Sequence, residues 1–305
     1  MRHAPHASDW WTRGVAPLAL LHLSLILTLQ ARPGGIAPLL WIWGPPLLIT
    51  MTAALLVAAF ASALRGRSWS RRRVAGFAGL AALLGTQPLY QTFPSAYDEM
   101  PSEVDFRLPL ESAVTVAWGG PTSETNYHVS SPAERWGYDL LITVDGRSHR
   151  GDGEGVADYY AFDRPVLAPA AGRVVAVHDG EKDEPPGRRN RRLGGGNRIV
   201  LEIAPRQFLF IVHLRAGSIS VRPGDTVRQG DVVARVGNSG NSSEPHIHLH
   251  VQDDPRPDRG QGIPFYFSDY VTVSGGAAVS RGMPLGGIRR GRFLGAIVTS
   301  NVKAP

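Results

Sequence analysis

Three uncharged, strongly apolar stretches dominate the first hundred residues: 15–30 (VAPLALLHLSLILTLQ), a run within 36–64, and 74–93. About 20 apolar helical residues cross the roughly 30 Å hydrocarbon core of a bilayer. The pattern therefore predicts a membrane region over 1–93 with about three transmembrane helices, near 15–31, 38–63 and 74–93. Pro45 and Pro46 fall near the start of the second, where a first turn or a kink tolerates them. Trp10, Trp11, Trp41, Trp43 and Trp69 sit at the predicted ends, as interfacial aromatics do. Residues 94–110, with Pro and acidic side chains and no helical period, read as a linker. Beyond them the pattern changes to short β-branched runs bounded by Gly, Pro, Asn and Asp, the signature of strands. The candidates are Val114–Trp118, Tyr138–Val144, Arg173–His178, Arg198–Ile203, Phe208–Leu214, Val232–Val236 and His246–Gln252. No amphipathic run of helical length separates them, so the fold class is mainly β, an antiparallel sheet or sandwich over 111–273 behind an α-helical membrane region. Residues 274–305 read as a Gly-rich basic tail without chemistry.

Charge refines this picture. No acidic residue lies between Asp9 and Asp98, and the loop RGRSWSRRR carries Arg65, Arg67, Arg71, Arg72 and Arg73. The positive-inside rule places that loop in the cytoplasm, so a third crossing delivers everything after about residue 95 to the extracytoplasmic side. A cleaved signal peptide at the first stretch is the competing reading and leaves the large domain on the same side. His22, inside the first span without an acidic partner nearby, is expected to pack against a neighbouring span. The formal charge of +6 arises mainly in the membrane region and the last residues, while 101–270 carry a net −4. The folded part thus lacks a concentrated basic face, and nucleic acid is not an expected partner; membrane lipid is. The absence of cysteine excludes disulfides, thiolate metal sites and a thiol nucleophile.

Candidate chemistry concentrates in GNSGNSSEPHIHLHV, residues 237–251. Side chains at i and i+2 of a strand share a face about 6–7 Å apart, so His246, His248 and His250 can serve one site. His213 closes the apolar run FLFIVHL. Asn126, Tyr127 and His128 precede RWGYD, which ends in Asp139 at the mouth of a strand. Several His and an Asp without Cys suggest a zinc site with N and O ligands, and three protein ligands would leave a position for water. Residues 181–196 (EKDEPPGRRNRRLGGG) form a polar loop. Its Arg188–Arg192 run reads as a solvated face, with a grip on an anionic polymer as the other reading.

The succession VLAPAAGRVVAVHDG, GNRIVLEI, FIVHLRAGSI and VRPGDTVRQGDVVARVGNSGNSSEPHIHLHV resembles the lysostaphin/LytM-type zinc metallopeptidases that cut peptidoglycan peptides, over about residues 114–255. In that family a His and an Asp of an H-x-x-x-D motif and the second His of H-x-H hold the metal. The resemblance implies Asp139 and His248 as ligands and His246 and His213 as catalytic histidines. The sequence departs where Arg135 stands four residues before Asp139. The N-x-H segment resembles a variant of the family, which makes His128 the third ligand, with His149 in reserve; His250 is expected behind the site or at the surface. His178 reads as a surface loop residue, and Glu244 either orients an imidazole or serves the turn.

The resemblance thus implies a zinc-dependent endopeptidase with one Zn²⁺ per chain, acting on peptidoglycan peptides, and the apolar stretches anchor it in the bacterial cytoplasmic membrane. A non-catalytic domain of the same type, binding wall or activating another hydrolase, is the alternative. The segment VRPGDTVRQGDVVARVGNSG also resembles half of a biotinyl/lipoyl carrier barrel, but Lys182 has the wrong neighbours for a modified lysine. Pro223, Gly224, Asp225, Gly230 and Asp231 are therefore read as turn punctuation.

Overall fold

The computed structural model describes residues 10–32, 34–65, 70–273, 278–289 and 292–301. The chain divides into two compact units, Met1–Ala96 and Tyr97–Pro305.

The first unit holds α1 (Thr12–Gln30), α2 (Ala37–Arg65) and α3 (Arg71–Leu84). Two of these, α1 and α2, are long and apolar enough to cross a membrane. The third expected transmembrane helix, 74–93, is not one continuous helix. α3 has 14 residues, about 21 Å at 1.5 Å per residue, and it ends at Gly85 before a 3₁₀ turn, Gln87–Tyr90. Ser70 caps α3, its hydroxyl accepting from the Arg73 amide. His22 is buried with Nε2 3.1 Å from the Thr52 hydroxyl of α2, the inter-helix packing expected for it. Arg67 and Trp69 of the arginine loop lie outside the described residues.

The second unit is an antiparallel β domain. Its strands are β1 (Val114–Trp118), β2 (Tyr138–Leu141), β3 (Pro165–Leu167), β4 (Gly172–His178), β5 (Arg198–Ala204), β6 (Gln207–Val212), β7 (Thr226–Val227), β8 (Val232–Arg235), β9 (Ile247–Gln252), β10 (Phe267–Thr272), β11 (Ala278–Gly282), β12 (Ile288–Arg289), β13 (Arg292–Phe293) and β14 (Ile297–Ser300). Ten of them form one sheet in the order β11-β10-β14-β1-β2-β9-β6-β5-β4-β7; β3 pairs with β8 and β12 with β13. Alternation explains the two faces. Tyr138 and Leu140, Ile199 and Leu201, Leu209 and Ile211, and Ile247, Leu249 and Val251 all enter one hydrophobic core. Full burial of an aliphatic side chain contributes about 1.5–3 kcal/mol, so this face fixes the register, and the intervening residues must point the other way. Those intervening residues include Asp139, His248 and His250.

Two boundaries differ from expectation. Within 94–110, Phe106, Leu108 and Leu110 are fully buried in the core, and the Arg107 amide donates to the Pro169 carbonyl, so this segment is part of the domain. Residues beyond 274 also build sheet: β14 lies between β10 and β1, with Val298 buried opposite Val114. Glycine here serves close packing, since a Cβ on Gly295 would stand 1.8 Å from the Val116 carbonyl oxygen. In the two PGD-type turns, Asp225 accepts from the Arg222 amide and Asp231 from the Arg228 amide, which makes them turn devices.

Candidate metal and catalytic site

Register builds the site. Asp139 of β2 is directly opposite His248 of β9, which is opposite Val212 of β6. Asp139 Oδ1 lies 2.7 Å from His248 Nδ1, 3.6 Å from His128 Nε2 and 3.5 Å from His246 Nε2. All four residues are buried. His213 follows β6 with φ +63, a left-handed conformation that a non-glycine residue adopts at a cost. That turn brings its ring centroid to 4.8 Å from His246 and 6.2 Å from His248.

Hydrogen bonds decide which nitrogen each imidazole offers. Asn126 donates from Nδ2 to the carbonyls of Gly120 and Gly137, which leaves Oδ1 to accept the amide and the ring Nδ1–H of His128, at 3.0 and 2.8 Å. His128 Nε2 is therefore a bare lone pair facing Asp139. His246 donates Nδ1–H to the Glu244 carbonyl at 2.7 Å, and His213 donates Nδ1–H to the Ser239 carbonyl at 2.8 Å. Both present Nε2. The Glu244 side chain accepts from the Ser148 hydroxyl, so Glu244 orients an imidazole through its backbone while its carboxylate ties down a neighbouring loop. His250 is buried, stacked on Phe210 with its Nδ1 3.0 Å from His248 Nε2. His248 donates Nδ1–H to Asp139 Oδ1 at 2.7 Å, and a shift of that proton to Nε2, which faces His250 Nδ1 at 3.0 Å, would free the Nδ1 lone pair for a metal ion.

Electrostatics agree. Burial pushes His128 down to about 3 and also lowers His213 and His250 well below the usual imidazole range. These rings are neutral and available as lone-pair donors near pH 7. For His246, burial is outweighed by the Asp139 carboxylate, and its pKa rises. Burial opposes ionisation of Asp139, but the imidazoles of His128 and His246 and hydrogen bonds from His246 and His248 hold its pKa well below the usual range. Stability follows by linkage. Three imidazoles with lowered folded pKa values bind protons more readily in the unfolded chain, whose value is about 6.5. Their contribution is complete above that pH and falls as pH drops toward the folded values. His246 acts in the opposite sense, stabilising below about 6.5. Chelator-stripped protein is expected to melt at a lower temperature at about pH 5 than at about pH 7.5, measured by circular dichroism. An unchanged or higher melting point under the acidic condition contradicts the neutral-imidazole assignment.

Arg135 is turned to structural work. Its guanidinium stacks over Trp136 at 4.1 Å, and its Nε is 3.6 Å from the Asp98 carboxylate that accepts from Trp136 Nε1. His149 packs against Tyr159 with the rings tilted by 48° and lines a separate cavity. His178, half-exposed, faces Glu181 at 3.3 Å. Sequence reading passed over Glu134, whose carboxylate oxygen and one nitrogen each of His128 and His248 lie within 4.8 Å of one another. Burial raises its pKa. The signal available was Gly137: a Cβ there would stand 2.8 Å from His248 Cε1, so the loop carrying Glu134 must pass directly over the histidine. Tyr127, itself exposed, borders the site, its hydroxyl 3.4 Å from Asp139 Oδ2. The donor set is N, N and O without sulfur. In a tetrahedral zinc site ligand atoms stand roughly 3.3 Å apart, given bonds of about 2.0–2.1 Å, so the 2.7 and 3.6 Å separations bracket what such an ion requires.

Residues 153–260 match the profile of Peptidase family M23. The chain bears a family resemblance to the M23 peptidases. The matched region contains His213, His246 and His248 and begins after His128 and Asp139. Among solved structures, an M23 catalytic domain of the prophage-encoded protein EnpA from Enterococcus faecalis aligns at 18% identity and a TM-score of 0.34, over 52% of this chain and 94% of that one. The lysostaphin catalytic domain from Staphylococcus simulans aligns at 18% identity and 0.30, over 49% and 86%. A zinc-containing peptidase from Vibrio cholerae aligns at 19% and 0.33, over 52% of this chain and 39% of that one. No curated protein matches the sequence.

Proposed function

We propose that the protein is a membrane-anchored, zinc-dependent endopeptidase that hydrolyses peptide bonds of peptidoglycan. The observation that carries this reading is the buried Asp139 Oδ1 lying 2.7 Å from His248 Nδ1 and 3.6 Å from His128 Nε2, with the rings of His246 and His213 alongside. The M23 resemblance supports a peptidoglycan-related metallopeptidase. Zinc would be held by His128, Asp139 and His248, with the remaining position open to solvent. When bound it lowers the pKa of water toward about 7 and polarises the scissile carbonyl. His246, whose Nε2 is 3.5 Å from a ligand oxygen, takes the proton from the attacking water and returns it to the leaving amine. His213, its ring centroid 4.8 Å from that of His246, binds the oxygen on which charge develops. A cavity of about 430 Å³, lined by Tyr127, His128, His213 and His248 among others, admits the peptide.

Anchoring follows from α1 and α2. Residues 71–93 make the third crossing: α3 and the 3₁₀ turn together span about 29 Å at 1.5 and 2.0 Å per residue, with no charged side chain from Val74 to Tyr97. Arg71, Arg72 and Arg73 then mark the cytoplasmic end of α3, and the domain stands outside the bacterial cytoplasmic membrane, with lipid around the helices.

The test uses the full chain in detergent micelles. Zinc-loaded protein is expected to release new amino groups from purified peptidoglycan, read by chromatography of the fragments. Loaded protein that leaves every fragment intact identifies the non-catalytic, wall-binding alternative. Because the chain lacks cysteine, Glu103→Cys gives a clean topology probe. Labelling by an impermeant thiol reagent on intact cells is expected; labelling only after lysis puts the domain inside.

A further inference from the structure

One wall of the cavity is arginine. Residues 188–192 place four arginines in five positions, on a loop that is docked rather than loose. The amides of Glu184, Gly187 and Asn190 donate to the carbonyls of Asn238, Ser243 and Gly240, and the Asn241 amide returns to the Gly194 carbonyl, at 2.7–3.0 Å. Asp183 accepts from the Asn238 amide at 2.6 Å. The turn being gripped, residues 238–243, leads directly into His246. The loop is thus held to the same segment that carries the histidines, and its side chains have a defined position relative to them.

Two arginines line the cavity beside His128, His213 and His248: Arg192, which is exposed, and Arg198, which donates from Nη1 to the Gly196 carbonyl at 2.9 Å and keeps its other N–H groups. Arg198 is half-buried and its pKa is lowered by desolvation, partly offset by Asp258 and Glu181. Neither Arg192 nor Arg198 makes an ion pair among the described residues. Arg189 stands close enough to Tyr127, at the edge of the site, to lower the cost of ionising its phenol. Glu134 and Asp258 also line the cavity, so the arginines do not create a general excess of positive charge. They form a local cationic wall. A half-desolvated guanidinium without an ion-pair partner gains most from a planar anion that takes two of its N–H groups at once.

We propose that this wall selects peptides bearing a free carboxylate next to the scissile bond, with Arg192 and Arg198 as its receptors. The inference rests on the peptidase reading and adds the substrate class. A charge-assisted hydrogen bond exceeds a neutral one by enough to change binding about tenfold or more.

The zinc-loaded full chain in micelles is offered two stem-peptide dimers, identical except that the carboxylates flanking the cleaved bond are free in one and amidated in the other. The free acid is expected to show a KM at least about tenfold lower. Arg192→Gln and Arg198→Gln are each expected to bring the ratio of KM values toward one, while Arg192→Lys, which keeps the charge but not the planar fork, retains only part of it and Arg188→Gln, on the same loop but not lining the cavity, retains all of it. Zinc content of each variant confirms an intact site. Equal KM values for the two dimers in the unaltered protein overturn the inference and leave the peptidase reading standing. Cleavage of neither dimer overturns both. An undiminished ratio in both glutamine variants removes the arginines as receptors.

Discussion

Alanine at His128 is expected to leave the protein without zinc, as thoroughly as alanine at Asp139 or His248. On the proposed assignment each of the three would supply one donor atom, and loss of any one would leave two ligands for an ion that favours four-coordination. Groups that merely orient a ligand change metal affinity by about 10–100-fold, so removal of a ligand should exceed about 100-fold. The measurement is zinc per chain by elemental mass spectrometry on the full protein after exhaustive dialysis. About one zinc in the unaltered protein and almost none in the three variants is the expected pattern. Glu134→Ala discriminates between the two carboxylates near His128 and His248. If it releases the metal while Asp139→Ala retains it, the assigned ligand set is wrong. His149→Ala is expected to keep its zinc, because that ring lines a different cavity with Tyr159.

Alanine at His246 or His213 should do the reverse: zinc stays and turnover falls. Positioned general acid–base groups contribute about 10²–10⁴-fold, and a loss of that size in kcat is expected for each. The double variant should lose much less than the product of the two, because groups acting in one transition state are not additive. Rates of amino-group release from peptidoglycan, with zinc content measured on the same preparations, separate this outcome from ligand loss. A fall in activity that merely tracked zinc loss would falsify the division between holding and reacting imidazoles.

Much of the β domain was legible because strand chemistry is local. The seven apolar runs expected as strands all correspond to strands of the domain, and the i, i+2 spacing of His246, His248 and His250 put them on one face before any neighbour was known. The elements missed were those whose sequence advertises something else. β14 lies in a Gly-rich basic stretch, yet Gly295 is there because the Val116 carbonyl leaves no room for a side chain. Phe106, Leu108 and Leu110 sit among Pro and acidic residues and have no period of their own, because each is buried by partners distant along the chain, such as Phe265 against Phe106.

The site divides in the same way. Sequence by itself determined the candidate groups, since residue type and two-residue periodicity are properties of the chain alone, and these excluded sulfur chemistry and pointed to an N and O metal site. Only the tertiary structure decided which atoms meet. Asp139 faces His248 because β2 pairs with β9 in one register, and His128 offers Nε2 because Asn126 takes its other nitrogen. Glu134 and the arginine wall enter through loops folded over that register. Hydrogen-bond direction and cross-strand pairing depend on groups distant along the chain, and the buried core face, where a slip of one residue would expose every aliphatic side chain, selects the one register that assembles them.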